Sequence, residues 1–179
     1  MQTTFPRLLL EHAKARPDAP ALREKEYGIW QTLTWRQLAA LVRQLANGLA
    51  AAGLQRGQHI VVIGENRPRL SASMLAAQSL GAIPVPLYQD AASSEFVFPI
   101  VNAEVAFAIV EDQEQVDKLL EIRPQCPALA QIWFDDPRGL RNYNEPGLAA
   151  LDALLATNVP NVFDTEVAKA DAHDVAAMF

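Results

Sequence analysis

One cysteine, Cys126, is the only thiol in this chain of 179 residues. A disulfide framework or a cysteine-rich zinc site therefore cannot be built, and a reducing compartment, the cytoplasm, is the expected location. Long hydrophobic runs are also missing. The longest apolar stretch, around Ala72–Leu87, is broken by Ser73, Gln78, Ser79, Gly81, Pro84 and Pro86, whereas a membrane-spanning helix needs about 20 mostly apolar residues. Leu8–Leu10, followed by Glu11 and His12, reads as too short for a secretory signal core. None of the eight glycines falls in a G-x-G-x-x-G or G-x-x-x-x-G-K-[ST] pattern, so the usual phosphate cradles are absent. There is no Lys/Arg run with interleaved aromatics, and nucleic acid is not an expected partner.

What remains is the composition of a globular protein. Half of the residues are hydrophobic and 20% are charged, which excludes disorder, collagen and a stapled miniprotein. The length suits one domain or a little more. The net charge of −6 conceals an excess of five positive charges over residues 1–70 and of eleven negative charges over 71–179. Arg7, Arg16, Arg23, Arg36, Arg43 and Arg56 are scattered, as solvated helix faces would be. Two halves facing different neighbours would give the same pattern.

Along the chain, helices alternate with short apolar strands. Thr4 can cap a helix that carries Phe5, Leu8, Leu9, His12 and Ala13 on one face and ends at Arg16-Pro17-Asp18. Ala21–Glu24 and Ile29–Trp35 flank Tyr27-Gly28 as a hairpin. Thr34 and Gln37 match a capping box, and Leu38, Leu41, Val42, Leu45 and Leu49 follow at helical spacing up to Gly53. Ile60–Ile63, Ile83–Leu87, Val105–Val110 and Ala130–Phe134 read as strands. The two prolines of Ile83–Leu87 place that strand at a sheet edge. Asn66 is expected to cap a helix running to Leu80, Ser93 or Ser94 one running to Asn102, and a third spans Gln113–Ile122. Residues 135–147 are loop-like and Leu148–Ala156 is a short helix. The fold class is therefore α/β: a layered, largely parallel sheet flanked by helices, with a small N-terminal hairpin. Residues 1–58 form the helices and hairpin that pack on the sheet, and 59–179 form the parallel α/β part. Val175–Phe179, after Asp171, His173 and Asp174, reads as a buried strand entering a sheet. Domains seldom end in mid-core, so the chain is expected to be a piece cut from something larger.

Residues that could carry chemistry are few. Gly64–Pro68 follows a strand at the place where open α/β sheets bind ligands, but it holds one glycine and reads as a helix start. Glu111-Asp112, with Glu114 and Asp117 nearby, could pose as a carboxylate pair. Acidic groups opening a helix are stabilised by its dipole, which is the simpler reading. His12, His59 and His173 stand apart from one another, and there is no G-x-S-x-G elbow. Cys126 lies between prolines with no adjacent cation to make it a thiolate. Trp30, Trp35 and Trp133 suit packing better than a stacking platform. No catalytic, cofactor-binding or metal residue is assigned.

The punctuation nevertheless has a family likeness. Arg16-Pro17-Asp18-Ala19-Pro20-Ala21, Leu33-Thr34-Trp35, Gly53-Leu54-Gln55-Arg56-Gly57, Gly64-Glu65-Asn66-Arg67-Pro68 and Gly81–Leu87 resemble the N-terminal part of the acyl-adenylate-forming enzymes, the AMP-dependent synthetases and ligases. Val110–Leu120, with Tyr88, is most similar to the long-chain fatty acyl-CoA synthetases. Arg69-Leu70 departs from an acidic residue and tryptophan common in that family. The resemblance implies part of an ATP-dependent ligase that forms an acyl-AMP and then a thioester with CoA. A Ser/Thr/Gly-rich loop and a Lys that embrace the ATP phosphates would follow Phe179, so these residues alone are expected to be inactive. ATP, Mg2+ and CoA are implied for the longer enzyme, with none expected on this chain. Implied partners are a fatty acid and the remainder of the chain, with peripheral membrane contact and dimerisation through an open strand edge left open. Alternatives are a ligase for a medium-chain, aromatic or carrier-loaded acid, or a noncatalytic α/β interaction module.

Overall fold

The computed structural model describes residues 3–155 and 159–179. Ala156, the last residue of the expected Leu148–Ala156 helix, lies outside them. Helix α1 spans Phe5–Ala15 and ends at Arg16. Strands β1 (Pro20–Glu26) and β2 (Ile29–Thr34) pair antiparallel. Tyr27 and Gly28 both have positive φ, 46° and 81°, the turn whose twist matches that of a hairpin. Helix α2, Trp35–Ala51, begins with the expected capping box. The Gln37 N–H donates to Thr34 Oγ1 at 3.3 Å, and Gln37 Oε1 accepts from the Thr34 N–H at 2.9 Å.

Next come β3 (His59–Ile63), α3 (Pro68–Ser79), β4 (Ile83–Leu87), α4 (Ser93–Asn102), β5 (Phe107–Val110), α5 (Gln113–Ile122) and β6 (Gln131–Phe134). After them stand β7 (Leu148–Ala150), α6 (Asp152–Leu155) and α7 (Phe163–Lys169). The five strands β3–β7 form one parallel sheet in the order β4-β3-β5-β6-β7. Its two faces bury alternate residues of the same strands. Ile60, Val62, Phe107, Ile109 and Trp133 pack with α1, α2, α3, α6 and α7. Val61, Ile63, Val85, Val110 and Ile132 pack with α4 and α5. A sheet covered on both sides explains why its strands read as continuous apolar runs.

Several expectations are corrected. Leu148–Ala150 is a strand, paired with Ile132–Phe134, and only Asp152–Leu155 is helical among the described residues there. Three residues are too few for either periodicity to show. Asn66 does not cap α3. Proline at the first helical position drives the preceding residue to extended backbone, so the cap is Arg67, at φ −87° and ψ 142°. Ala92, not Ser93 or Ser94, caps α4, and Glu95 Oε1 accepts from its N–H at 3.1 Å. Helix α7 has no counterpart in the expectations from sequence.

Val175–Phe179 is not a buried strand: Val175 is 56% and Phe179 99% exposed. Pro84 and Pro86 lack the N–H groups that a ladder on the outer edge of β4 would need. The segment therefore makes one backbone bond there, from the Met178 N–H to the Pro84 carbonyl at 3.1 Å, and Gln78 Nε2 donates to the Ala176 carbonyl at 2.7 Å.

Candidate functional site

The strand order places a reversal between β3 and β5: the chain leaves β3 towards β4, then crosses back to β5. Open α/β sheets bind ligands in the crevice at the carboxyl ends of such strands. Here an ion-paired carboxylate occupies the floor of that crevice. Glu111, the residue after β5, accepts from the Glu65 N–H at 2.6 Å and from Arg67 Nε at 2.8 Å. Arg67 also lies 3.4 Å from Glu65 and 4.0 Å from Glu24. Gly64 sits beneath at φ 153°, and a Cβ there would come within 2.6 Å of Glu111 Cβ. The close approach of backbone to this carboxylate is what requires glycine.

The network continues over a cleft of about 620 Å³ bounded by the β1–β2 turn and the loop after β6. Arg69 Nε lies 2.9 Å from Asp135 Oδ1, and its Nη2 lies 2.5 Å from Asp152. Arg138 pairs with Asp136 through Nε at 2.7 Å. Hydrogen bonding to Arg138 pulls the Asp136 carboxyl below the ordinary range. Burial pushes Asp135 above it, with Asp152, Glu24 and Glu111 adding to the rise and Arg69 opposing it. Glu24, Glu26, Glu111, Asp135 and Asp136 line the cleft against Lys25, Arg67, Arg69 and Arg138. The residues at this edge do not fit a nucleotide phosphate, because the three arginines are engaged by carboxylates and a polyanion would face a further excess of them.

The other singled-out residues lie apart from this edge. Asp112 caps α5, its Oδ1 accepting from the Gln115 N–H at 3.3 Å, while Glu114 pairs with Lys118 and Asp117 accepts from the Tyr143 hydroxyl. His12 packs on Trp35 with ring centroids 4.5 Å apart, and Trp133 stacks on Phe107 at 6.0 Å. His59 opens β3, and the backbone N–H of His173 donates to Asp171 at 2.9 Å. Cys126 is buried, and burial raises its thiol pKa. Among the described residues no helix is long and apolar enough to cross a membrane. Sequence reasoning singles out Glu111 but misses Arg67, Arg69, Asp135 and Asp136 as its neighbours. With Glu111 after β5, Arg67 and Arg69 at the start of α3, and Asp135 and Asp136 after β6, only the strand order joins them.

The comparisons with known proteins agree with this architecture. Acetoacetyl-CoA synthetase from Streptomyces lividans superposes with a TM-score of 0.76 at 22% identity, over 88% of this chain and 26% of that one. Coronafacic acid ligase from Pectobacterium brasiliense gives 0.74 at 20% identity, over 85% and 29%. At these identities the likeness concerns the fold alone. In sequence, long-chain-fatty-acid–CoA ligase FadD15 of Mycobacterium bovis is 24% identical over 164 residues, 90% of this chain and 27% of the ligase. The mouse long-chain-fatty-acid–CoA ligase ACSBG2 is 32% identical over 121 residues, 68% and 18%. An uncharacterized protein of Mycobacterium tuberculosis is 36% identical over 103 residues, 58% of this chain and 57% of that protein. The chain thus spans less than a third of these ligases. The model of the AMP-binding enzymes matches residues 9–179, and with the sheet order and elements above, the chain belongs to the AMP-binding enzyme family.

Proposed function

We propose that this chain forms the N-terminal α/β layer of an ATP-dependent long-chain fatty acid–CoA ligase. In that reaction a fatty carboxylate attacks the α-phosphorus of ATP and expels pyrophosphate, and the CoA thiol then displaces AMP from the acyl adenylate. The role assigned to these residues is to build and brace the scaffold, residues 1–58 packing on the sheet of 59–179. ATP, Mg2+ and CoA are assigned to the rest of such an enzyme. One observation supports the scaffold reading: at the strand reversal Glu111 holds Arg67 and the Glu65 N–H, so neither is free to meet a phosphate. The long-chain assignment is supported by the two ligases matched in sequence.

Palmitate-dependent exchange of pyrophosphate into ATP is the test. The 179 residues alone should exchange at background, and a signal above background overturns the scaffold reading. The full gene product is the second sample and should exchange with palmitate in preference to benzoate. A preference for benzoate reassigns the acid to the aromatic class. The mycobacterial protein matched over 57% of its length favours a second reading, a noncatalytic α/β module. A gene product that ends at Phe179 and is inert towards every acid would support it.

A further inference from the structure

Each of the two sheets ends in two strands with one free side: β1 and β2 in the hairpin, β4 and β7 in the parallel sheet. A free strand edge pairs with another chain unless something blunts it, and charge, proline and shortness are the usual means. Strand β1 carries Arg23, Glu24, Lys25 and Glu26 in succession. Strand β4 has Pro84 and Pro86, and β7 is three residues long. Strand β2, Ile29-Trp30-Gln31-Thr32-Leu33-Thr34, has no charge, no proline and no glycine. Among the described residues it is the one edge that none of these devices protects. Val175–Phe179, the run expected from sequence to offer an open strand, forms none.

The register fixes which backbone groups are open. Pairs in an antiparallel ladder alternate between bonded and non-bonded, and the pair that closes a two-residue turn is bonded. Ile29, Gln31 and Leu33 therefore bond Glu26, Glu24 and Leu22, while Trp30 and Thr32 turn their N–H and C=O groups outward. No other described element bonds those four groups. Ile29 is 66% and Trp30 57% exposed. Farther along, the Thr34 N–H donates to Gln37 Oε1 at 2.9 Å, so the open ladder stops at Thr32.

Four groups so arranged are complementary to themselves. A two-fold axis through Gln31 sets Trp30 of one copy opposite Thr32 of the other, and each N–H meets a C=O, four bonds in all. An axis through Thr32 would instead need the Thr34 N–H, which the helix cap has taken. On the face towards α2, Ile29 then lies against Leu33 of the second copy. The charges also fit. Rows across the joined sheets run Arg23-Thr32-Trp30-Lys25 and Glu24-Gln31-Gln31-Glu24, so two neutral residues separate each pair of like charges.

We propose that a second copy of this chain adds to the outer edge of β2, pairing β2 with β2 antiparallel about Gln31. The proposal does not depend on the ligase reading, and its test involves no catalysis. A contact of this length is smaller than a standard interface, so the dimer is reversible and dissociates on dilution.

Sedimentation equilibrium of the intact 179-residue protein over a concentration series is the test, with circular dichroism to confirm the fold of each variant. The parent should pass from monomer to dimer as concentration rises. Thr32→Pro removes an outward N–H and leaves the bonds to β1 in place, a position where an edge strand tolerates proline. It should weaken association roughly tenfold to a hundredfold, because two of the four bonds are lost. Gln31→Lys and Gln31→Glu each bring like charges together at the axis and should be monomeric singly. Mixed, they should associate more tightly than either alone, a result that decides the matter even if Thr32→Pro fails to fold. Phe98→Ser, which alters an exposed apolar residue of α4, should associate as the parent does. A protein that stays monomeric up to about 1 mM overturns the proposal. So does a mixture no tighter than its components, or association that Phe98→Ser abolishes and a folded Thr32→Pro leaves unchanged.

Discussion

Gly64 carries the turn from β3 into the α3 loop, and two constraints act on it together. Its φ of 153° is a conformation that side chains rarely adopt, and a Cβ would meet Leu70 Cδ1 at 2.5 Å as well as Glu111. Gly28, at φ 81°, has no atom within 4 Å of the place a Cβ would take, so only the backbone term applies there. Gly64→Ala should therefore lower stability by about 2–4 kcal/mol, combining backbone strain with displacement of a packed carboxylate. Gly28→Ala should cost only about 1 kcal/mol. Urea midpoints for the two proteins check the difference, and equal losses would refute the assigned close approach. The sequence marks Gly64 as the lone glycine of its loop, but not its reason. Glu111 lies 47 positions away, and only the parallel pairing of Ile63 with Val110 brings it overhead.

At the scale of elements, legibility follows the locality of the signal. Helix α2 is readable to within a residue because its capping box and its apolar stripe both lie inside a few turns. Thr34→Ala, which leaves the Gln37 N–H without its acceptor, should cost about 1 kcal/mol. In a domain of this size that lowers the melting temperature by about 2–4 °C, measurable by circular dichroism, and an unchanged transition would show the cap to be idle. Strands β3, β5 and β6 are legible because burial on both faces leaves no polar alternation to confuse with a helix. Strand β7 is not, since its three residues gain their identity from Ile132, Trp133 and Phe134 alongside. The misreading of Val175–Phe179 has a similar origin. An apolar run signals a strand only if its neighbour can pair, and the prolines of β4 remove the donors it would need. The ion-paired edge is hidden for the same reason: its members are brought together by loops that adjoin in space and not in sequence.

The charge asymmetry acquires its meaning only in the whole molecule. The basic first part and the acidic second part face each other through Arg7, Arg43 and Arg56, which corrects the solvated reading for these three, while Arg16, Arg23 and Arg36 are exposed as expected. Arg7 donates to the carbonyls of Ala168 and Ala170, at 3.1 and 2.6 Å. Arg43 pairs with Asp164 at 2.7 Å and lies over the Phe163 ring. Arg56 reaches Glu166 at 3.7 Å and Asp174 at 2.9 Å. Asn47 Oδ1 accepts from the N–H groups of Val162 and Phe163. Residues 162–174 are thus strapped onto α1, α2 and the segment after α2 largely by polar contacts, with Phe163 and Val167 as their buried anchors. The hydrogen bond from Arg43, with a second from Asn161, lowers the Asp164 carboxyl pKa. The Asp171 N–H lowers that of Asp174, with Arg56 contributing. A carboxyl depressed in the folded state stabilises it above the unfolded pKa, and that contribution is lost as pH falls through the folded value. Asp135 has the opposite sign: its raised pKa lets the native edge take a proton first, without loss of stability. Acidification through and below the ordinary carboxylate range should therefore release the strap before the sheet. Hydrogen exchange, normalised for the intrinsic rate at each pH, should show protection of Val162 and Phe163 falling while that of Val61 and Ile109 persists. Simultaneous loss at all four amides would mean that the strap and the sheet unfold as one unit, and that the cross-chain arginines do not hold a separable segment. Because both pairs are substantially exposed, added salt should move the release to higher pH by only a small amount.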